Sequence, residues 1–90
     1  MLWVDVFTGT CFSGRLHRFR ASKSMSPIAY TGAQVPKIRS IIVGPNAAVT
    51  INRPSGRKPI KLFPGTVLAN IPHLANAKRK LRVVLEPADV

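Results

Sequence analysis

The chain has 90 residues, 46% hydrophobic and 19% charged, and its 14 Lys and Arg against 3 Asp and Glu give a net charge of +11. That length holds one small core, removing roughly 60–65% of the unfolded surface from water, and the composition is globular rather than disordered. The carboxylates are Asp5, Glu86 and Asp89, so a catalytic carboxylate pair would have to join Asp5 to the tail, and paired-carboxylate acid–base chemistry fails on supply. A single cysteine, Cys11, allows no internal disulfide, and His17, His73 and Cys11 are too scattered for a zinc site. No catalytic residue, metal or cofactor is therefore expected. No apolar run approaches the roughly 18 residues of a membrane span. Met1-Leu2-Trp3-Val4-Asp5 lacks the basic start of a signal peptide. The expected setting is intracellular, or a particle assembled inside a cell, with no membrane partner.

Taken in chain order, the periodicity predicts strands. Val4 and Val6 share one face of the first run, with Trp3, Asp5 and Phe7 on the other. Leu16, Arg18 and Arg20 alternate with His17 and Phe19. Ile38 to Val43 is a β-branched run, and Ala48 to Asn52 alternates weakly. Ile60 and Leu62 oppose Lys61 and Phe63, and Leu81 to Leu85 is apolar apart from Arg82. Short Val/Ile-rich runs bounded by Gly, Pro and Asn are strand signals. The breakers fall where turns belong, at Thr8-Gly9, Ser13-Gly14, Thr31-Gly32, Gly44-Pro45-Asn46, Pro54-Ser55-Gly56 and Pro64-Gly65. Eight prolines and six glycines leave no room for a long helix; the best short helical candidate is Pro72 to Lys80, with Asn70 as a cap.

Two landmarks recur at one spacing. Ser13-Gly14-Arg15 returns as Ser55-Gly56-Arg57, and Ile41 and Val43 return as Val83 and Leu85, each 42 residues on. A duplicated strand-rich unit is expected, the first motif at about 1–43 and the second at about 47–87 of one domain, with the seam at Gly44-Pro45-Asn46.

The stretch Phe7-Thr8-Gly9-Thr10-Cys11-Phe12-Ser13-Gly14 has an aromatic, four residues, an aromatic, one residue and a glycine. In this form it resembles the opening motif of the βγ-crystallin superfamily. The glycine stands where a folded hairpin requires positive φ or tolerates no Cβ, and the aromatics pack over the fold. Ser40-Ile41-Ile42-Val43 looks like the serine and apolar strand that close such a motif. In the second half Val49 stands at the first aromatic position, Pro54 at the second and Arg82 at the closing serine, and only Gly56 is kept; Leu62-Phe63-Pro64-Gly65-Thr66-Val67 is similar to the family's connection. The resemblance implies two Greek-key motifs forming a small β-sandwich of two four-stranded sheets; the alternative is a small SH3- or OB-like β-barrel. Many microbial relatives bind calcium through Asn/Asp and Ser/Thr oxygens. Here the matching stretches read Val35-Pro36-Lys37-Ile38-Arg39-Ser40 and Ala77-Lys78-Arg79-Lys80-Leu81-Arg82. Calcium needs six to eight oxygens, so none is expected to bind.

The cations cluster in three groups: Arg15, Arg18, Arg20 and Lys23; Arg53, Arg57, Lys58 and Lys61; and Lys78, Arg79 and Lys80 with Arg82. With so few acids they are expected to remain uncompensated within the chain and to repel one another. A solvated basic surface is the ordinary reading of one such group; three groups on 90 residues point to a polyanionic or acidic partner. No element for base-specific readout is present. The aromatics Trp3, Phe7, Phe12, Phe19 and Phe63 could stack on bases, but Phe7, Phe12 and Phe63 are expected in the core. Cys11 is expected as a small buried hydrophobe, and Trp3 as an anchor for a neighbour.

These features describe a non-enzymatic structural or interaction protein, a subunit or accessory component of a larger assembly such as a viral or phage particle. Its partners would be acidic surfaces of neighbouring subunits or the nucleic-acid backbone, in an oligomer or hetero-assembly. The alternatives are a free nucleic-acid-binding protein without sequence preference and, from the crystallin-like resemblance, a small inhibitor or toxin-like domain.

Overall fold

The computed structural model describes residues 1–35, 37–53, 58–71 and 81–88. Its strands are β1 (Leu2–Phe7), β2 (Leu16–Ala21), β3 (Ile28–Thr31), β4 (Ser40–Val43), β5 (Ala47–Asn52), β6 (Ile60–Leu62), β7 (Val67–Leu68) and β8 (Arg82–Pro87). They form two antiparallel four-stranded sheets, ordered β2-β1-β4-β7 and β3-β8-β5-β6. The fold is all-β, as the periodicity predicts. Two 3-10 turns, Lys23–Met25 and Gly32–Gln34, are the helical elements among the described residues. No helix there is long and apolar enough to cross a membrane. The helical candidate Pro72 to Lys80 lies outside the described residues, as do Ser55, Gly56 and Arg57.

Alternation along each strand builds the core. Leu2, Val4 and Val6 of β1 face Ala47, Val49 and Ile51 of β5 and Val83 and Leu85 of β8, with Ile41 and Val43 of β4 beside them; all are at most 2% exposed. Successive strand residues point to opposite sides, so each of these runs commits one face to the space between the sheets. β1 lies over β8 and β5, and β4 over β5.

The chain path repeats. β1 and β2 form a hairpin, β3 crosses to the other sheet, and β4 returns beside β1. β5 and β6 form a hairpin, β7 crosses back, and β8 returns beside β5. Each half follows a Greek-key path and lends its third strand to the other's sheet, so the two halves share one core. The pairing refines the repeat. Val4 pairs with Val43, and Val49 with Leu85, so the offset is 42 residues at the fourth strand of each half but 45 at the first. The register therefore places Asn52, not Val49, opposite Arg82 as Phe7 lies opposite Ser40. β3 and β7 are absent from the sequence reading because four and two residues are too few to show a period.

Candidate polyanion interface

The hairpin between β1 and β2 folds back over the outer side of its sheet. Gly14 has φ 78°, and Cys11 and Phe12 also have left-handed backbones at 54° and 59°. Gly9 N donates to Ser13 O at 2.9 Å, and Cys11 N to Ala69 O at 2.7 Å. Ser40, fully buried, donates to Gly9 O at 2.6 Å and accepts from Phe12 N at 3.0 Å. The Phe7 and Phe12 rings meet edge to face, 5.5 Å between centroids. Both are half-buried, and Phe7 belongs to the strand face opposite Val4 and Val6, so this pair is a satellite cluster under the hairpin and not part of the inter-sheet core expected for it. Cys11 corrects another expectation: the turn that buries Phe12 leaves the thiol exposed. Phe63 is 73% exposed, not core, because it continues the outward alternation of Lys61 as the chain leaves β6 for the turn at Pro64-Gly65.

On the same outer face, Arg18 reaches across from β2 to Asp5 of β1, its directly paired residue. Its Nε and Nη2 donate to the two carboxylate oxygens at 2.6 and 2.8 Å, and its guanidinium lies 4.8 Å from the centre of the Trp3 ring. The carboxylate hydrogen bond, partly offset by desolvation and helped by Coulomb attraction, raises the Arg18 pKa above its already high usual value. The pair thus remains charged on the arginine side at any working pH. Among the described residues, Arg18 is the exception to the expectation that the cations go uncompensated. Trp3, expected as a partner anchor, is half-buried and packs against Gly44, where an added Cβ would come within 2.8 Å of the indole. An Asp5→Asn protein should melt at a lower temperature yet bind polyanions more tightly at low salt. It frees Arg18, and each added phosphate contact steepens the salt slope by about one logarithmic unit. Titrations at several salt concentrations would show it; an unchanged slope would mean Arg18 stays occupied.

The other expected contact residues separate into two places. Arg15 and Arg20 are exposed at the β2 edge, and Lys23 follows in the next turn. Lys58 and Lys61 are exposed at the β6 edge, where the half-buried Arg53 donates to Lys58 O at 2.6 Å and so helps close the second hairpin. Arg57, Lys78, Arg79 and Lys80 lie outside the described residues. β2 and β3 share one side of the sandwich, tied by Tyr30 Oη donating to Arg20 O at 2.8 Å and by stacking of Phe19 on Tyr30. β6 and β7 share the other, joined by the short turn Phe63–Thr66, in which Thr66 N donates to Phe63 O. The two basic groups therefore occupy opposite edges, a relation the linear sequence does not display.

Between the edges, the described residues of the outer faces carry few charges beyond the Asp5–Arg18 pair, Arg82 and Glu86. One row of the first sheet runs Arg18, Asp5, Ile42, Val67, with Val67 57% exposed. The second sheet presents Ala29, Val84, Thr50 and Lys61 in one row, and Thr31, Arg82 and Asn52 in the next. Glu86 lies apart, in a groove of about 380 Å³ with Pro27, Phe63 and Pro87. Among the described residues no three His, Cys, Asp or Glu side chains group as a metal site. Val35 and Ile38, in the stretch matched to the calcium signature, are core residues. No protein-family model matches the chain, and no curated protein matches it.

Proposed function

We propose that this chain is a non-enzymatic interaction module that works by shape and charge within a larger assembly, and that the phosphate backbone of nucleic acid is what its basic edges meet. The observation that carries this reading is the allocation of charge. Among the described residues, Asp5 is committed to Arg18 and Glu86 sits in a separate groove, while Arg15, Arg20, Lys58 and Lys61 are exposed. Their mutual repulsion falls when phosphates approach. Edge strands and turns supply these cations, and such elements can follow a backbone without reading bases. The βγ-crystallin-like reading rests on the repeated Greek-key path, the positive-φ Gly14, the Phe7–Phe12 pair and the hairpin-bound Ser40.

A second reading, docking on acidic surfaces of neighbouring subunits, is favoured by one feature: Val67 and Leu16 are exposed, and Ile42 and Trp3 half-exposed, on one sheet face. An apolar patch of this kind suits a protein neighbour.

Fluorescence anisotropy with duplexes of unrelated sequence tests the first reading. Affinity should be similar for all sequences and fall by orders of magnitude between about 50 and 200 mM salt. Lys58→Ser together with Lys61→Ser should flatten the slope by up to about two logarithmic units. An absence of binding at low salt would overturn the reading.

A further inference from the structure

We infer that the domain holds two nucleic-acid segments at once, one on each edge, and so acts as a bridge rather than as a clamp on a single strand. The inference rests on the polyanion reading and adds what only the fold shows. Arg20 lies on an outward-facing position of the edge strand β2, and Lys61 on an outward-facing position of the edge strand β6 in the other sheet. The two groups are thus at diagonally opposed corners of the sandwich. Four strands spaced about 4.8 Å apart put the edges of one sheet about 14 Å from each other, and outward side chains add to that. The separation exceeds the Debye length of about 10 Å at 0.1 M salt, so each edge attracts phosphate nearly independently. Among the described residues, the surface between them offers Ala29, Thr50 and Val84 on one side, with Arg82 in the neighbouring row, and Ile42, Val67 and the internally paired Asp5 and Arg18 on the other. Among the described residues, a single backbone crossing from edge to edge would meet one unpaired cation, Arg82, over the middle of its path. Two backbones, one per edge, would not make that crossing.

The experiment uses one duplex fixed to beads and a second, fluorescent duplex free in solution. Wild-type protein should capture the free duplex on the beads. Capture should rise and then fall as protein is added, since in excess each copy finds its own duplex. Two variants, Arg15→Ser with Arg20→Ser and Lys58→Ser with Lys61→Ser, alter exposed side chains, and unchanged circular dichroism would show that both remain folded. Each should still bind a single duplex in anisotropy, yet lose capture at least tenfold. The inference is overturned if either variant captures as wild type does, or if capture never falls in excess protein; both outcomes would assign bridging to association between copies. It is also overturned if wild-type protein binds one duplex but never two. If wild-type protein binds no duplex and instead retains an acidic protein, the polyanion reading itself fails.

Discussion

Gly14→Val is expected to lower the melting temperature by about 10–25 °C, and Gly9→Val by distinctly less. Gly14 has φ 78°, a region β-branched residues almost never enter, and an added Cβ would meet Thr8 Oγ1 and come within 2.9 Å of Gly9 N. Thr8 Oγ1 already accepts from Arg15 N at 2.8 Å, so turning it away breaks a bond that holds the mouth of the hairpin, and the Gly9 backbone would have to move as well. Strain and clash together cost about 2–4 kcal/mol, and each kcal/mol shifts the melting point of a domain this size by about 4–8 °C. At Gly9 the backbone carries no positive φ. The nearest atom to an added Cβ is Ser13 Oγ, a rotatable group, and the nearest backbone atom is 3.0 Å away. Thermal melts of the two variants decide the matter; equal losses would remove Gly14 from its special role.

Ser40→Ala should cost about 2–4 kcal/mol, out of proportion to the loss of one oxygen. That oxygen donates to Gly9 O and accepts from Phe12 N, and its residue is fully buried. Each partner left unmatched costs about 1–3 kcal/mol. Because Ser40 belongs to β4 and both partners to the β1–β2 hairpin, its removal should release the hairpin before the core. Amide exchange at Phe12 should therefore accelerate more than at Val4 or Val43. Equal acceleration at all three would mean Ser40 serves the core and not the hairpin. At the corresponding position of the second half, Arg82 is exposed.

The first hairpin was legible in the sequence because the device is local: two aromatics five residues apart and a glycine two further on act within one turn. The two basic groups were legible as groups, since charge needs no fold to be counted. Their placement was not. Arg18 stands between two ordinary strand neighbours in the chain, and only the pairing of Asp5 with Arg18 reveals that one cation of the first group is neutralised. Cys11 and Phe63 were misplaced for different reasons: Cys11 lies in the left-handed part of the folded hairpin turn, which leaves its thiol outward, and Phe63 shares the outward alternation of Lys61.

By itself the sequence determined what depends on neighbours along the chain: the all-β class, the strand runs of β1, β4, β5 and β8, the turn glycines and the net charge. Strand alternation and turn chemistry act over two to eight residues, so they can be read directly. The tertiary structure alone decided which strand crosses to which sheet, the 45-residue offset at the first strand of each half, the pairing of the buried Asp5 with Arg18, and the separation of the Arg15/Arg20 and Lys58/Lys61 groups onto opposite edges. Those features follow from how two sheets bury one shared core. Short strands such as β3 and β7 take their places because the edge backbone there needs hydrogen-bond partners and Ile28, Tyr30 and Leu68 complete the packing, and neither need is written at a fixed spacing in the chain.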